Sequence, residues 1–119
     1  MWYVTIVNNE YISMSGIHEF LDGYRCLFRS VQLESIKGVG IGMQASSYCW
    51  TQQLPLQIEY SQNKPVYITT NIGENVPDHM LKIDRIMKIM QKYEMVQYIR
   101  TSILNGVDQN IWIVNKQKI

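Results

Sequence analysis

The sequence contains little charge for its length, and this scarcity excludes two broad classes of protein. Charged residues make up 18% of the 119 residues, below the roughly 25% of an ordinary domain. The formal net charge is +1, whereas a dedicated duplex-DNA binder usually carries a strong basic excess. Hydrophobic residues make up 46% of the chain, so it also lacks the low hydrophobicity of a disordered protein. We therefore expect one folded domain over residues 1–119 that does not bind nucleic acid.

Cysteines are few, long apolar runs are absent, and no leader is expected. Cys26 and Cys49 are the only cysteines, and a secreted disulfide framework normally uses four or more. We expect two free, buried thiols that pack as small hydrophobic groups. No apolar run approaches the ~18 residues of a membrane span, and Met1–Val4 shows no basic region of a signal peptide. These absences predict a cytoplasmic protein.

Alanine is nearly absent, and the residues that replace it suggest a source. Alanine occurs once, at Ala45, while isoleucine occurs 16 times and asparagine and glutamine together total 18. Such a bias toward Ile, Asn, Lys and Tyr is what AT-rich coding DNA produces. The composition therefore favours a phage, a plasmid or an AT-rich bacterium as the source.

Hydrophobic spacing predicts two strands and a helix in the first third of the chain. Residues 1–7 all suit a strand, and their apolar character predicts burial on both faces near the centre of a sheet. A short second strand is predicted over 10–14. Residues 17–31 place apolar side chains at helical steps of three and four, which predicts a helix. A strand over 24–33 is the alternative.

The middle of the chain is predicted to be β-structure. Strands are expected over 38–43, 47–52, 56–60 and 65–72. The polar residues 61–64 are predicted to join the last two as a hairpin.

A second helix is predicted after Pro77, because proline is favoured at a helix entry. It should end near Tyr93 and should contain the ion pairs Asp78–Lys82 and Asp84–Lys88 at i,i+4 spacing. The apolar residues of this helix are expected to form one face. The basic stripe on its other side, made of Lys82, Arg85, Lys88 and Lys92, is interpreted as a solvated face.

Two further strands complete the predicted fold. They are expected over 95–104 and 110–114, on either side of Asn105-Gly106, which is a strong hairpin signal. A loop longer than two residues is expected there. The order of elements predicts an α+β fold: a single domain with a mostly antiparallel sheet of five to eight strands and two helices packed on it.

No set of residues has the spacing of a catalytic or metal site. The four residues best able to bind a metal do not occur at zinc-site spacings; they are His18, His79, Cys26 and Cys49. The chain contains the residue types of a nucleophilic Cys–His pair. Both cysteines lie beside large apolar residues, however, which is typical of structural thiols. We therefore predict a non-enzymatic protein with no catalytic residue, no metal and no cofactor.

Tyrosine and tryptophan are the residues that favour a binding function. The chain contains eight Tyr and three Trp but only two Phe, and Tyr and Trp are enriched at interfaces because they combine contact area with a polar group. Tyr48, Trp50, Tyr60 and Tyr67 lie on neighbouring predicted strands. They could form one exposed sheet face that binds a partner; the alternative is that they fill the core.

These observations favour a small protein that acts by binding. The preferred hypothesis is an inhibitor, immunity or anti-defence protein that binds a protein partner and blocks its site. In layout alone, the chain is similar to small toxin-immunity proteins, around a run such as Val66–Glu74. Immunity proteins aimed at nucleases are usually acidic, however, and this chain is not.

Two alternative functions stay open at this point. In the first, the protein forms an oligomer that sequesters a small nucleotide signal. Arg25, Arg29, Arg85 or Arg100 would then bind the phosphate groups, and a Tyr or Trp would stack on the base. In the second, the protein is a structural subunit of a larger complex.

Overall fold

The structure is a computed structural model that describes residues 1–30 and 48–119, without the side chains of Arg29, Ser30 and His79. The chain divides into two compact units, Met1–Lys64 and Pro65–Ile119. The described part of each unit combines three strands with a helix, so the fold class is α+β, as predicted. The expectation of one domain over 1–119 stays a prediction. The strand predicted over 38–43 lies outside the described residues.

The first unit begins with three antiparallel strands in the order β1-β2-β3. They are β1 (Trp2–Val7), β2 (Glu10–Phe20) and β3 (Gly23–Ser30). Asn8 and Asn9 turn the chain between β1 and β2 with φ of 51° and 64°, a conformation that asparagine tolerates. β2 is the middle strand, so the prediction that the N-terminal strand lies near the sheet centre and is buried on both faces is wrong.

The helix predicted over 17–31 is also wrong. Residues 17–30 form the end of β2 and all of β3, joined by a turn at Leu21 and Asp22. The turn residue Leu21 has a positive φ of 50°, and Gly23 begins β3 opposite Phe20. The antiparallel pairing of β2 with β3 therefore outweighs the helical spacing of the apolar residues. The alternative strand over 24–33 is therefore closer to the structure, although its last residues lie outside the described part.

The segment that closes the first unit is helical, so the strands predicted over 47–52 and 56–60, and the hairpin that included 56–60, are wrong. A π-helical turn, Cys49–Gln53, leads into helix α1 (Leu54–Ser61). Pro55 lies in the first turn of α1. The buried residues of α1 are Leu54, Gln57 and Ser61. Their spacing is helical, but two of the three are polar and give no hydrophobic period.

The second unit follows the prediction closely. It contains β4 (Val66–Asn71), helix α2 (Asp78–Lys92), β5 (Val96–Leu104) and β6 (Val107–Val114), with a final 3-10 turn, Lys116–Lys118. The strands are antiparallel in the order β4-β6-β5. Asn105 and Gly106 alone connect β5 to β6, both with positive φ. The longer loop expected there is therefore wrong, since residues 107–109 belong to β6.

Each helix packs on the sheet of its own unit. In the first unit α1 contacts β3, and the buried apolar residues among those described are Ile12, Ile17 and Leu54. In the second unit α2 contacts β4 and β5, and the described residues form an apolar core. It consists of Val66, Tyr67, Met87, Val96, Ile111, Trp112 and Val114. None of the described helices has the length and apolar character needed to cross a bilayer.

Candidate interaction surfaces

The structure does not place the four predicted aromatic residues on one sheet face. Tyr48, Trp50 and Tyr60 lie in the helical segment before and within α1. Tyr48 and Tyr60 are about half exposed, and Tyr60 packs edge-on against Tyr24 at 5.7 Å between ring centroids. Tyr67 lies in β4 and is only 8% exposed. The expectation of a shared exposed sheet face is therefore wrong, although a binding role for the individual residues stays a prediction.

The predicted phosphate-binding arginines have different surroundings. Arg25 is half-buried: its Nε donates to His18 Nε2 at 2.9 Å, and its guanidinium carbon lies 4.8 Å from the centroid of the Phe20 ring. Arg85 is exposed on α2. The side chain of Arg29 lies outside the described part. Because Arg25 already binds His18 and Phe20, it is less available to bind a phosphate group.

Five large apolar side chains form an exposed surface on β1 and β2, which we call the β1–β2 apolar face. They are between 42% and 68% exposed. The β1 members lie on one side of the sheet because alternate residues of a strand point the same way, and a register shift after Thr5 brings Tyr11 to the same side as Met14. The strand register places Val4 opposite Met14 and Ile6 opposite Tyr11. The face consists of Trp2, Val4, Ile6, Tyr11 and Met14.

Gly16 gives this face its shape at one end. It lies opposite Trp2 in the register, and a Cβ at position 16 would come within 2.0 Å of the Trp2 ring. The absence of a side chain therefore lets the indole lie directly against the backbone of β2. The ring is covered on one side by the strand and remains about half exposed on the other.

The backbone of β1 also has hydrogen-bonding groups that point away from β2. Ile17 N–H donates to the Met1 carbonyl at 3.0 Å. In an antiparallel pair, hydrogen bonds to one neighbour come from alternate residues, so Tyr3 also bonds toward β2 while Trp2 and Val4 bond outward. Among the described strands, β1 pairs only with β2. β1 contains no charge and no proline, the features with which natural proteins protect such edges.

The opposite side of the same sheet is covered by α1 through a set of polar side chains, the glutamine cluster. Ser15 donates to Gln53 Oε1 at 2.5 Å and accepts from Gln57 Nε2 at 3.2 Å. Gln53 Nε2 also contacts Thr5 Oγ1 at 3.5 Å. Ser15, Gln53 and Gln57 are all buried, so within the described part of the chain this side of the sheet is covered and the β1–β2 apolar face is exposed.

The two cysteines lie in this covered part of the first unit as free, half-buried thiols. Burial, with a smaller contribution from nearby Cys49, raises the pKa of Cys26 to about 12. Burial also raises the pKa of Cys49. Because the thiolate is the reactive form, neither cysteine is suited to act as a nucleophile at neutral pH.

Helix α2 and the residue that caps its C-terminus form a second exposed apolar surface, the α2 stripe, made of Ile83, Ile86, Ile89 and Tyr93. These side chains are 43–69% exposed and follow one another at steps of three and four residues, so they lie along one side of the helix. The expected apolar face of this helix is therefore divided. Met87 is buried against the sheet, while the stripe remains open.

The inward side of α2 carries a buried carboxylate, at the centre of what we call the Asp84 cluster. Asp84 is 4% exposed and its Oδ1 accepts from Thr70 Oγ1 at 2.6 Å and from Asn110 Nδ2 at 2.8 Å. Lys88 Nζ lies 3.4 Å from Asp84 Oδ2, which confirms that predicted ion pair. Trp112 Nε1 donates to Thr70 Oγ1 at 2.9 Å. Each of these polar side chains thus has a hydrogen-bond or ion-pair partner within the cluster.

The Asp84 cluster continues to the surface through two hydroxyl groups. Thr101 donates to Asn110 Oδ1 at 2.6 Å, which uses its one proton. The Tyr98 hydroxyl, 2.7 Å from Thr101 Oγ1, must therefore donate to Thr101. Tyr98 is exposed and packs edge-on against Trp112. The order of donors is fixed from Tyr98 to the Asp84 carboxylate, and this rigidifies the sheet beneath α2.

A groove in the second unit has polar lining residues that bond to other residues of the same unit. Gln91 Oε1 accepts from the backbone N–H of Tyr98 at 2.7 Å, and Asn115 Nδ2 donates to the Glu94 carbonyl at 2.9 Å. Glu94 also pairs with Lys118 at 3.7 Å. The described residues contain no group of three or more His, Cys, Asp or Glu side chains placed to hold a metal ion.

No protein-family model, no curated protein and no solved structure matches this chain. The surfaces themselves are therefore the basis for proposing a function. Reasoning from sequence missed both the β1–β2 apolar face and the α2 stripe, since it predicted a buried strand over residues 1–7 and a single apolar face on the second helix. For the β1–β2 apolar face, the available sequence signal was the complete lack of charge in residues 1–7. This signal fits a buried strand and an exposed binding strand equally well.

Proposed function

We propose that this protein is a non-enzymatic binding protein, of the inhibitor or immunity type, that blocks a protein partner through the β1–β2 apolar face. The observation that carries the proposal is the exposure of five large, uncharged side chains on one continuous surface. Exposed apolar patches on small domains commonly mark protein-binding sites. Trp, Tyr and Met, three of the five, are residue types enriched in such interfaces.

The backbone indicates what kind of surface the partner presents. Trp2 and Val4 direct their backbone N–H and C=O groups outward and place their side chains on the exposed face. A β-strand of the partner could therefore pair with β1 by main-chain hydrogen bonds, the mode known as β-augmentation. Its side chains on the same face should be apolar and uncharged, because no charged side chain belongs to the β1–β2 apolar face.

Site-specific photo-crosslinking tests the location of the interface. A benzophenone amino acid replaces Tyr11 on the face or, as a matched control, Tyr48, an exposed tyrosine of the same unit outside the face. The proposal expects a cross-linked protein from the source cell at position 11 and none at position 48. Val4→Lys, which puts a charge in the middle of the face, should abolish the product at position 11 while leaving the circular dichroism unchanged.

Reconstitution then tests the blocking function. The partner is identified from the cross-linked product and then purified on its own, without the cross-link. It should lose its activity on addition of one equivalent of the wild-type protein, and it should keep that activity with Val4→Lys. Three outcomes would overturn the proposal: cross-linking only at position 48, a product containing only a second copy of this chain, or a partner whose activity is unaffected by binding.

A further inference from the structure

We propose that the α2 stripe is a second docking surface, which binds an acidic amphipathic helix of a protein partner. The inference is independent of the β1–β2 apolar face, because it depends on different residues and on a different chemistry. The stripe begins at Ile83 and ends at Tyr93, so it extends about 15 Å along the helix at ~1.5 Å per residue. This is the length of about three helical turns, enough for a short helix to pack along it.

The apolar side chains of the stripe are suited to helix packing. Three of the four are isoleucine, whose branched side chain has one strongly preferred rotamer in a helix. Ile83, Ile86 and Ile89 therefore form a stiff ridge rather than a flexible surface. Ridges of this kind pack into the grooves of a second helix. The buried side of α2, which includes Asp84 and Met87, is occupied by its own unit and is not available.

The charges beside the stripe specify an acidic partner. Lys82, Arg85 and Lys92 are exposed and form no ion pair with another described residue. The predicted pair Asp78–Lys82 is therefore not formed, whereas Lys88 is paired with Asp84. Lys82 and Arg85 lie four residues before Ile86 and Ile89, so both border the stripe. Carboxylates on the partner would complement these cations and orient it.

The arrangement favours a protein helix over an anionic membrane surface. A helix that lies in a membrane interface inserts its whole apolar face and carries cations around its polar face. In α2, the centre of the apolar face is used by the sheet through Met87. The unpaired cations border the stripe on one side only, since its other side continues into the packed face of α2.

A pair of synthetic peptides tests the proposal with the intact protein. Both are amphipathic 15-residue helices with the same leucines, and the polar positions carry glutamate in one and lysine in the other. We expect the glutamate peptide to bind at least about tenfold more tightly by fluorescence anisotropy, with affinity that falls as salt is raised. The double reversal Lys82→Glu/Arg85→Glu should invert the preference between the two peptides.

Two variants that replace an exposed isoleucine with glutamine distinguish binding at the stripe from nonspecific hydrophobic binding. Ile86→Gln should weaken binding of the glutamate peptide about tenfold, while Ile103→Gln, at an exposed position of β5, should leave it unchanged. Equal binding of both peptides, binding of neither, or an unchanged preference in the folded double reversal would overturn the proposal. So would binding to phosphatidylglycerol vesicles without binding to either peptide.

Discussion

The two units place polar side chains between sheet and helix, but they use different chemistry to do so. In the first unit the glutamine cluster consists of amides and hydroxyls, with Ser15 bonded to Gln53 and Gln57. In the second unit the Asp84 cluster is organised around a carboxylate that accepts from Thr70 and Asn110. Both clusters are buried, and among the described residues no buried side-chain N or O atom lacks a partner.

This difference should determine how each unit responds to the loss of one contact. A neutral hydrogen bond adds only about 1 kcal/mol net, because the unfolded chain bonds to water instead. A buried charge is much more costly to desolvate, and it is tolerated only when its partners are all present. We therefore expect the second unit to depend on every member of its cluster and the first unit to tolerate the loss of an outer one.

The largest effect is expected at Asp84. Asp84→Ala removes the acceptor for the Thr70 hydroxyl and the Asn110 amide and leaves both buried without a partner, so the free energy of unfolding should fall by about 3 kcal/mol. Asp84→Asn keeps one acceptor and should cost about half as much. Urea denaturation followed by circular dichroism measures both values.

An exposed aspartate of the same unit provides the control for that experiment. Asp108 is exposed on β6, and Asp108→Ala should change stability by no more than about 0.5 kcal/mol. If Asp84→Ala costs no more than Asp108→Ala, the carboxylate is not the centre of the cluster and the contrast between the units is lost.

Ser15 is the corresponding central residue of the first unit, and its effect should be smaller. Ser15→Ala leaves Gln53 Oε1 and Gln57 Nε2 without their shared hydroxyl, which should cost about 2 kcal/mol because both groups are neutral. The ratio of this loss to that of Asp84→Ala measures the difference between a neutral and a charged cluster. A loss from Ser15→Ala that exceeds the loss from Asp84→Ala would reverse the comparison.

Gln57 lies at the edge of the glutamine cluster and should matter least among the buried polar residues tested. Gln57→Leu preserves much of the volume and leaves the Ser15–Gln53 bond intact, so we expect a change of about 1 kcal/mol or less. Gln57→Ala is the matched variant, which leaves a cavity and should cost about 2 kcal/mol. Equal losses from Leu and Ala would show that the amide, and not the volume, is what stabilises this position.

The same contrast explains which parts of the fold the sequence predicts. In the second unit, local signals agree with the packing: Pro77 opens α2, and Asn105-Gly106 forms a two-residue hairpin. In the first unit, the buried side of α1 is largely polar, with Gln57 and Ser61 at helical spacing. Because prediction from periodicity assumes that buried residues are apolar, it cannot find a helix whose inward face consists of glutamine and serine.

The candidate surfaces were hidden for a related reason. Trp2, Val4 and Ile6 alternate with Tyr3 and Thr5, so both sides of β1 have strand-like, non-ionic side chains. Composition alone cannot tell which side a helix covers; that is decided by Ser15 and its contacts with the distant residue Gln53. The exposed half of α2 is hidden in the same way, because the apolar period of Ile83 and Ile86 continues that of buried Met87 without a break.

Acidification should reveal a last, smaller difference between the units, at His18. Burial, and secondarily the positive charge of Arg25, lowers the pKa of His18. The unfolded chain, with a pKa near 6.5, therefore binds this proton more readily than the folded chain. The contribution of neutral His18 to stability is fully present above pH 6.5. It is lost as the pH falls through the lowered pKa of His18 in the folded protein. Urea midpoints measured between pH 8 and pH 5 should show this decline.

His18→Gln provides the control, because glutamine keeps an acceptor for the Arg25 Nε–H but cannot take up a proton. The bond from Arg25 Nε to His18 Nε2 requires the neutral ring with its proton on Nδ1, so protonation breaks the bond and adds a second charge beside Arg25. His18 is only partly buried, and water screens much of that repulsion, which is why the effect should be the smallest of the four. A decline of equal size in wild type and His18→Gln would assign the pH dependence to other groups and leave the first unit without a pH-sensitive contact at this position.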